Sequence, residues 1–405
     1  MKWEIAKLGD ISKNIQTGPF GSQLHQSDYS ECGIPVVMPK DLVGGKISEE
    51  SIARVDKTHV ERLCRHKIEV GDILYSRRGD VGRCAHVTKK EEGWLCGTGC
   101  LRVTIDSEKA DSRFVFFQLQ HPDTVGWVEK HAVGATMLNL NTTILSSVPI
   151  RLPALEIQKR IADILSAYDD LIENNQKQIK LLEEAAQRLY KEWFVDLRFP
   201  GHENTKIVDG VPEGWNWCKL EDAIQFDPKV TLTKERMKQF IPMSALSTSS
   251  MVLDGSQFTE TTSNSGSKFQ NGDTLLARIT PCLENGKTAY VSGLKSDEGA
   301  VGSTEYIVMR AKTINSYMVY LLARTDDFRQ SAINSMSGSD GRQRVKSDKL
   351  KMLDYLHPTG ELVEKFEKVA GPIFEKICKL SKQMQQAKQA RDLLLPKLMS
   401  GEVEV

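Results

Sequence analysis

The chain has 405 residues, 40% hydrophobic and 27% charged, and its 54 Lys and Arg are balanced by 54 Asp and Glu. That length holds two or three domains of ordinary size, and zero net charge excludes a module that is basic throughout. No apolar run approaches the roughly 18 residues of a membrane span, and residues 1–10 have no apolar signal core, so a soluble cytoplasmic chain is expected.

Taken in chain order, residues 1–153 read as a mixed, mostly β unit. Gly18-Pro19-Phe20-Gly21, Gly44-Gly45 and Gly97-Thr98-Gly99 are loops. Gly71-Asp72 is a turn before a short β-favouring run, and Ser112–Gln120 is a short helix. After Pro153 the pattern becomes heptads: Ile157, Ile161, Ile164, Tyr168, Leu171, Asn175, Ile179, Leu182, Ala186, Leu189 and Trp193. Pro200-Gly201 ends this helix, so it occupies 154–199. Residues 200–358 form a second mixed unit, with Gly272-Asp273 as a turn and a short helix over 316–325. A second heptad run occupies 359–405: Leu362, Phe366, Val369, Ile373, Ile377, Leu380, Met384, Ala387, Arg391, Leu394 and Leu398. Gly371-Pro372 should kink it, and Pro396 and Gly401 mark its end.

The chain repeats itself once. Trp3 to Ile11 returns as Trp217 to Ile224, and Ile34-Pro35-Val36 as Ile241-Pro242-Met243. Residues 70–77 return as 271–278, Phe114 to Leu119 as Tyr317 to Leu322, and Leu152-Pro153 as His357-Pro358. The fold class is therefore α+β: two mixed α/β units separated by two long helices, with an internal pseudo-two-fold repeat. Each helix of about 40 residues is roughly 60 Å long at 1.5 Å per residue. Neither buries its stripe alone, so the two should pair as an antiparallel coiled coil. The outer helix faces, with Leu181, Phe194 and Leu395, are expected to need a partner.

Several segments resemble specificity (S) subunits of type I restriction-modification systems. They are Gly18-Pro19-Phe20-Gly21-Ser22 with Asp28-Tyr29, and the stretch 134–141 before Pro149-Ile150-Arg151-Leu152-Pro153. The first helix (156–174), Val211-Pro212-Glu213-Gly214-Trp215, the runs 273–287 and 338–345, and the closing Leu394 to Gly401 complete the set. The resemblance implies a DNA-binding, non-catalytic subunit of a restriction system. Two target recognition domains (1–153 and 200–358) would read an asymmetric bipartite sequence in double-stranded DNA. The helices would dock two DNA methyltransferase (M) subunits and, through them, two restriction/translocase (R) subunits. No cofactor is expected on this chain; S-adenosylmethionine, ATP and Mg²⁺ would sit on the partners, serving DNA methylation and defence against foreign DNA. Two readers on a rod of roughly 60 Å span at most about 18 base pairs.

Base edges in the major groove favour Arg, Lys, Asn and Gln, which pair bidentately, and phosphates favour Lys, Arg and loop amides. Segments 1–150 and 201–359 each carry 19 basic and 19 acidic residues, so any phosphate-facing surface must be local. Candidates in the first unit are Gln23, Lys40, Arg77, Arg78, Arg83 and Asn139. In the second they are Arg278, Lys287, Arg342, Gln343, Arg344 and Lys346. Rival readings are a specificity chain of a type II-like or other defence complex, and a coiled-coil scaffold without a DNA role. No catalytic or metal motif is convincing. Pro281 to Thr288 ends in Gly-Lys-Thr like a phosphate loop but lacks the first glycine and leads into a strand. The eight cysteines fit buried free thiols, without zinc spacing.

Overall fold

The computed structural model describes residues 3–134, 138–296, 298–338 and 342–405. The chain forms two compact units, Met1–Asp170 with Ala387–Val405, and Leu171–Gln386. The division runs through both long helices, Leu155–Tyr190 and Gly360–Ser400, so each unit owns part of each.

In the first unit an antiparallel sheet has the order Ser12–Thr17, Cys100–Ile105, Ile73–Ser76, Cys84–His86. Ile73–Ser76 is buried throughout, which matches its apolar sequence in mid-sheet. A second sheet has the order Leu95–Cys96, Ile34–Val37, Ala53–Val55, Tyr29–Ser30, with its first pair parallel. A ribbon of Glu4–Lys7 and Pro149–Leu152 joins the ends of the unit. Helix Ser112–Gln120 starts where the Asp111 carboxylate accepts the amides of Arg113 and Phe114. It buries Phe114, Val115 and Phe117 in a core that also holds Ile161, Leu165, Leu398 and Met399 from the long helices.

The second unit repeats this plan. Its antiparallel sheet runs Ile224–Phe226, Tyr306–Ala311, Thr274–Ala277, Thr288–Tyr290. Lys238–Ile241 lies parallel to Ala300–Gly302, and Asn216–Lys219 pairs with Asp354–His357. The outer strands differ: Ser267–Phe269 lies beyond Ala300–Gly302, whereas Tyr29–Ser30 lies beyond Ala53–Val55. The repeated Gly-Asp is a structural device. Gly71 and Gly272 have φ of 91° and 90°, a conformation that favours glycine. Asp72 and Asp273, both buried, accept the amides of Glu69 and Gln270 three residues back, at 2.9 and 2.7 Å. The same carboxylates take Thr104 at 2.6 Å and Arg310 at 2.6 and 2.7 Å from matching places on the neighbouring strand.

The strand registers correct three of the repeat alignments. Lys7 and Lys219 end the paired strands, and each follows a tryptophan by four residues, so the half-buried Trp3 corresponds to Trp215 rather than to Trp217. Trp215 is buried and Trp217 is 61% exposed. The bonds Gly97 N to Val37 O and Ser303 N to Ile241 O equate Val37 with Ile241. The helix caps Asp111 and Asn315 equate Phe114 with Met318.

In the second unit the two helix segments run antiparallel. Asn175 donates to Gln383 at 3.2 Å, while Tyr190 and Trp193 meet Phe366 edge-on at ring separations of 6.1 and 5.6 Å. In the first unit Arg391 donates to Asp169 at 2.6 Å. The buried stripe is partly rotated by one residue from the heptads. Leu165, Ile172, Glu183 and Tyr190 are buried where Ile164, Leu171, Leu182 and Leu189 are half-buried. On the second helix Ala370 and Phe374 are buried, whereas Val369 is 45% exposed. The reason is that each helix packs on its unit's globular core as well as on the other helix, so the face that is covered widens and turns. Leu181 is 64% exposed as expected, but Phe194 sits 5.0 Å from Phe366 and Leu395 packs on the first core, so neither is on an outer face. The second helix runs unbroken through Gly371-Pro372, and Pro396 lies inside its last turns; Gly401, with φ of 75°, follows its end. The cysteines are free, but Cys32 and Cys64 are exposed, so only some fit the buried reading. Burial pushes the thiols of Cys84 and Cys96 up to about 12.

Candidate nucleic-acid interface

Strand direction alone gathers the first set of loops. Thr17, Leu101, Tyr75 and Cys84 lie side by side across one end of the antiparallel sheet. Just beyond that end come loop 18–23, loop 97–99, Arg77 to Asp80, and Arg83. The parallel pair Val37 and Cys96 ends there too, which brings in Met38 to Lys40. Close packing holds these loops together. A Cβ on Gly18 would stand 1.9 Å from the carbonyl oxygen of Gly97, so only glycine fits.

The amide of Arg77 donates to Gly99 O at 2.8 Å, and its carbonyl accepts Leu140 N at 2.8 Å. Arg78 and Val133 both bridge to Asn139. The structure thus brings Arg77, Arg78 and Asn139 into one small region. Arg78 is exposed, and its side chain makes no hydrogen bond or ion pair among the described residues. The Nε of Arg77 is buried without a hydrogen-bond partner among the described residues. Other candidates have intramolecular partners. Lys40 donates to Ser51 O at 2.8 Å, and Arg83 pairs with Asp80 at 2.7 Å. Gln23 closes its own loop, its Oε1 accepting the Phe20 amide at 3.1 Å. Arg62 and Arg65, which sequence reasoning passed over, donate to Gln23 from 39 and 42 residues away. Phe20 is 55% exposed at the tip.

The second unit rebuilds the arrangement with other side chains. Arg278 N donates to Glu305 O at 3.0 Å, and Val345 N donates to Arg278 O at 2.9 Å. Ile279 and Ser337 both bridge to Arg344. Arg278 therefore stands where Arg77 does, and its Nε is likewise buried and unpartnered among the described residues. Arg344 is held by Glu305, with Nε at 2.9 and 3.0 Å and Nη2 at 2.8 Å from the carboxylate. The Arg344 hydrogen bonds hold the Glu305 carboxyl below the usual range and raise the guanidinium in turn. Glu305 is a candidate site residue that side-chain type alone does not flag; matching strand ends between the repeats would have found it. Lys287 donates to Met243 O at 3.0 Å, and Gln343 O accepts from Thr280 N at 3.1 Å. Arg342 and Lys346 are exposed. A groove of about 450 Å³ adjoins Glu305, lined by Phe240, Met243, Thr261, Ser303 and Thr304 among others. Its hydroxyls suit phosphate or sugar oxygens.

Of the segments that carried the family resemblance, 135–137 and 339–341 lie outside the described residues. Among the described residues no group of three or more His, Cys, Asp or Glu is placed to hold a metal ion. Likewise no described helix is long and apolar enough to cross a membrane. The phosphate-loop mimic leads into strand Thr288–Tyr290, where that motif requires a helix.

Residues 1–184 match the family model described as type I restriction modification DNA specificity domain. The whole chain aligns with the type I restriction enzyme MjaIX specificity subunit of Methanocaldococcus jannaschii, 26% identical and covering 94% of that subunit. The chain is thus similar, over its whole length, to specificity subunits of type I restriction-modification systems. It is also 23% identical to the HindI specificity subunit of Haemophilus influenzae, with 99% of each chain covered. Its fold is similar to that of the S subunit of a type I system from M. genitalium, at a TM-score of 0.64 and 15% identity, over 98% of this chain and 96% of the other.

Proposed function

We propose that this chain is the non-catalytic, DNA-reading subunit of a type I restriction-modification complex, with each unit reading one part of a bipartite, asymmetric target. The observation that carries this reading is the repeated loop face. Arg77 and Arg278 occupy equivalent backbone positions, each with a buried Nε that has no partner among the described residues. Both arginines are half-buried as residues and so not closed off entirely, and a guanidinium at a loop end suits phosphate oxygens. The surrounding side chains differ between units, as two different half-sites require.

In this reading the chain binds no cofactor. It docks two methyltransferase subunits, and through them two restriction/translocase subunits, which carry S-adenosylmethionine, ATP and Mg²⁺ in the cytoplasm. The proposed recognition domains are 1–153 and 200–358, with 154–199 and 359–405 as docking helices. Exposed Leu181 and Leu393, 64% and 67% accessible, offer apolar points for such docking.

Two measurements test this. The assembled methyltransferase should bind duplex DNA with an affinity that falls steeply with salt. Host DNA should lose methylation at one two-part motif when the gene is removed. Absence of salt-dependent binding in the assembled complex would favour the scaffold reading.

A further inference from the structure

Building on that DNA-reading role, we propose that Asn139 and Arg344 are equivalent base-reading positions. Asn139 selects adenine for the first unit, and Arg344 selects guanine for the second, with Glu305 positioning the guanidinium.

The equivalence is set by backbone bonds. Asn139 bridges to Arg78 and Val133, and Arg344 bridges to Ile279 and Ser337. The next residues, Leu140 and Val345, donate to Arg77 O and Arg278 O and are fully buried. Adjacent side chains on an extended segment point to opposite sides, so a buried Leu140 or Val345 turns its predecessor outward. Asn139 is exposed accordingly, and its side-chain amide makes no hydrogen bond among the described residues. The Arg344 side chain is 41% exposed despite its ion pair.

The chemistry differs as the residues do. An Asn amide offers one donor and one acceptor, the pattern that matches adenine N7 and N6; an Arg offers two parallel donors, the pattern that matches guanine O6 and N7. Glu305 occupies the Nε and Nη2 edge of Arg344. That leaves the terminal fork of Nη1 and Nη2 protons on the far edge, where Nη1 approaches Arg342 O at 3.5 Å and no other acceptor among the described residues. A guanidinium clamped on one edge is pre-oriented on the other, so little freedom remains to be lost on contact. In the first unit Gly99 stands where Glu305 does, and an amide reader there has no cation to clamp.

The test uses the chain assembled with its methyltransferase partner and a library of duplexes randomised in both halves of the target, sequenced before and after selection. N139A should lose adenine discrimination at one position, by about 10-fold or more. R344N should lose guanine discrimination at one position in the other half by a similar factor. E305Q keeps Arg344 but weakens the clamp, and should lower that same guanine preference, an effect that a purely structural ion pair would not produce. If R344N fails to assemble, N139A and E305Q decide on the same terms. Unchanged preferences, or losses within one half, in variants that still bind with wild-type salt dependence would overturn this proposal and leave the DNA-reading role standing. Absence of salt-dependent binding by the wild-type complex would overturn that role itself.

Discussion

Arg77 and Arg278 are the same residue at the same place in two otherwise different loop faces, and in the proposed function this identity separates anchoring from reading. A residue common to both units is suited to what two different half-sites share, the phosphate backbone. R77A, and separately R278A, should therefore weaken binding of the assembled complex evenly across sequences and reduce the salt slope by about one; a changed base preference in selection would contradict this. Glu183 shows a second residue-scale effect, unrelated to DNA. It is buried on the first long helix and accepts Ser250 Oγ at 2.7 Å and Met251 N at 2.9 Å. Burial pushes its carboxyl above the usual glutamate value of 4.5, against the pull of those hydrogen bonds. A raised folded-state value means that its stabilising share is full below about the unfolded value and is lost as pH rises through the folded one. E183Q keeps an acceptor for both donors without the charge. Its stability relative to wild type should therefore grow as pH rises above 4.5, measured by urea unfolding at several pH values; a difference independent of pH would refute the assignment.

At the scale of elements, the strand ends and the buried ion pairs decide what the sequence pattern left loose. The Gly-Asp repeat was legible as two turns, but not as two carboxylates that bind the neighbouring strand, because Thr104 and Arg310 lie 32 and 37 residues away. The heptads were legible as two long helices. Their buried face was not, because Leu165 and Ala370 answer to globular cores that helical spacing does not report. The site followed the same division: arginines beside glycine turns could be picked out by type, while Glu305 and the pairing of Asn139 with Arg344 required the sheet register. Two substitutions test the packing. D273A leaves Arg310 without its bidentate partner in a half-buried place, and should destabilise the second unit by about 3–5 kcal/mol. F366A removes a fully buried ring that meets Tyr190, Trp193 and Phe194, and should cost about 3–5 kcal/mol. Both are read as shifts of the urea midpoint at constant slope; a loss under 1 kcal/mol in either would mean that the surrounding structure relaxes to fill the gap.

For the whole molecule, charge pairing within each unit is compatible with the proposed DNA reading by a neutral chain. Opposite charges are spent within each unit, as in Arg344 with Glu305 and Arg83 with Asp80, so net charge carries no trace of a local binding face. The proposed readers were not legible in the sequence, because the residues that differ between the units sit at matching positions only after the fold is known. The proposed bipartite reading makes a further claim on the long helices, which both continue across the division between units. If their length sets the gap in the target, removing one heptad from each shortens it by about 10 Å at 1.5 Å per residue, or about three base pairs. Matched deletions of 172–178 and 380–386 remove Asn175 together with Gln383, its hydrogen-bond partner, and preserve the seven-residue period. Sequencing methylated host DNA should then return both half-sites unchanged with a shorter spacer. An unchanged spacer in an assembled, active complex would show that the helices do not set the gap, while altered half-sites would show that the deletion had disturbed the readers.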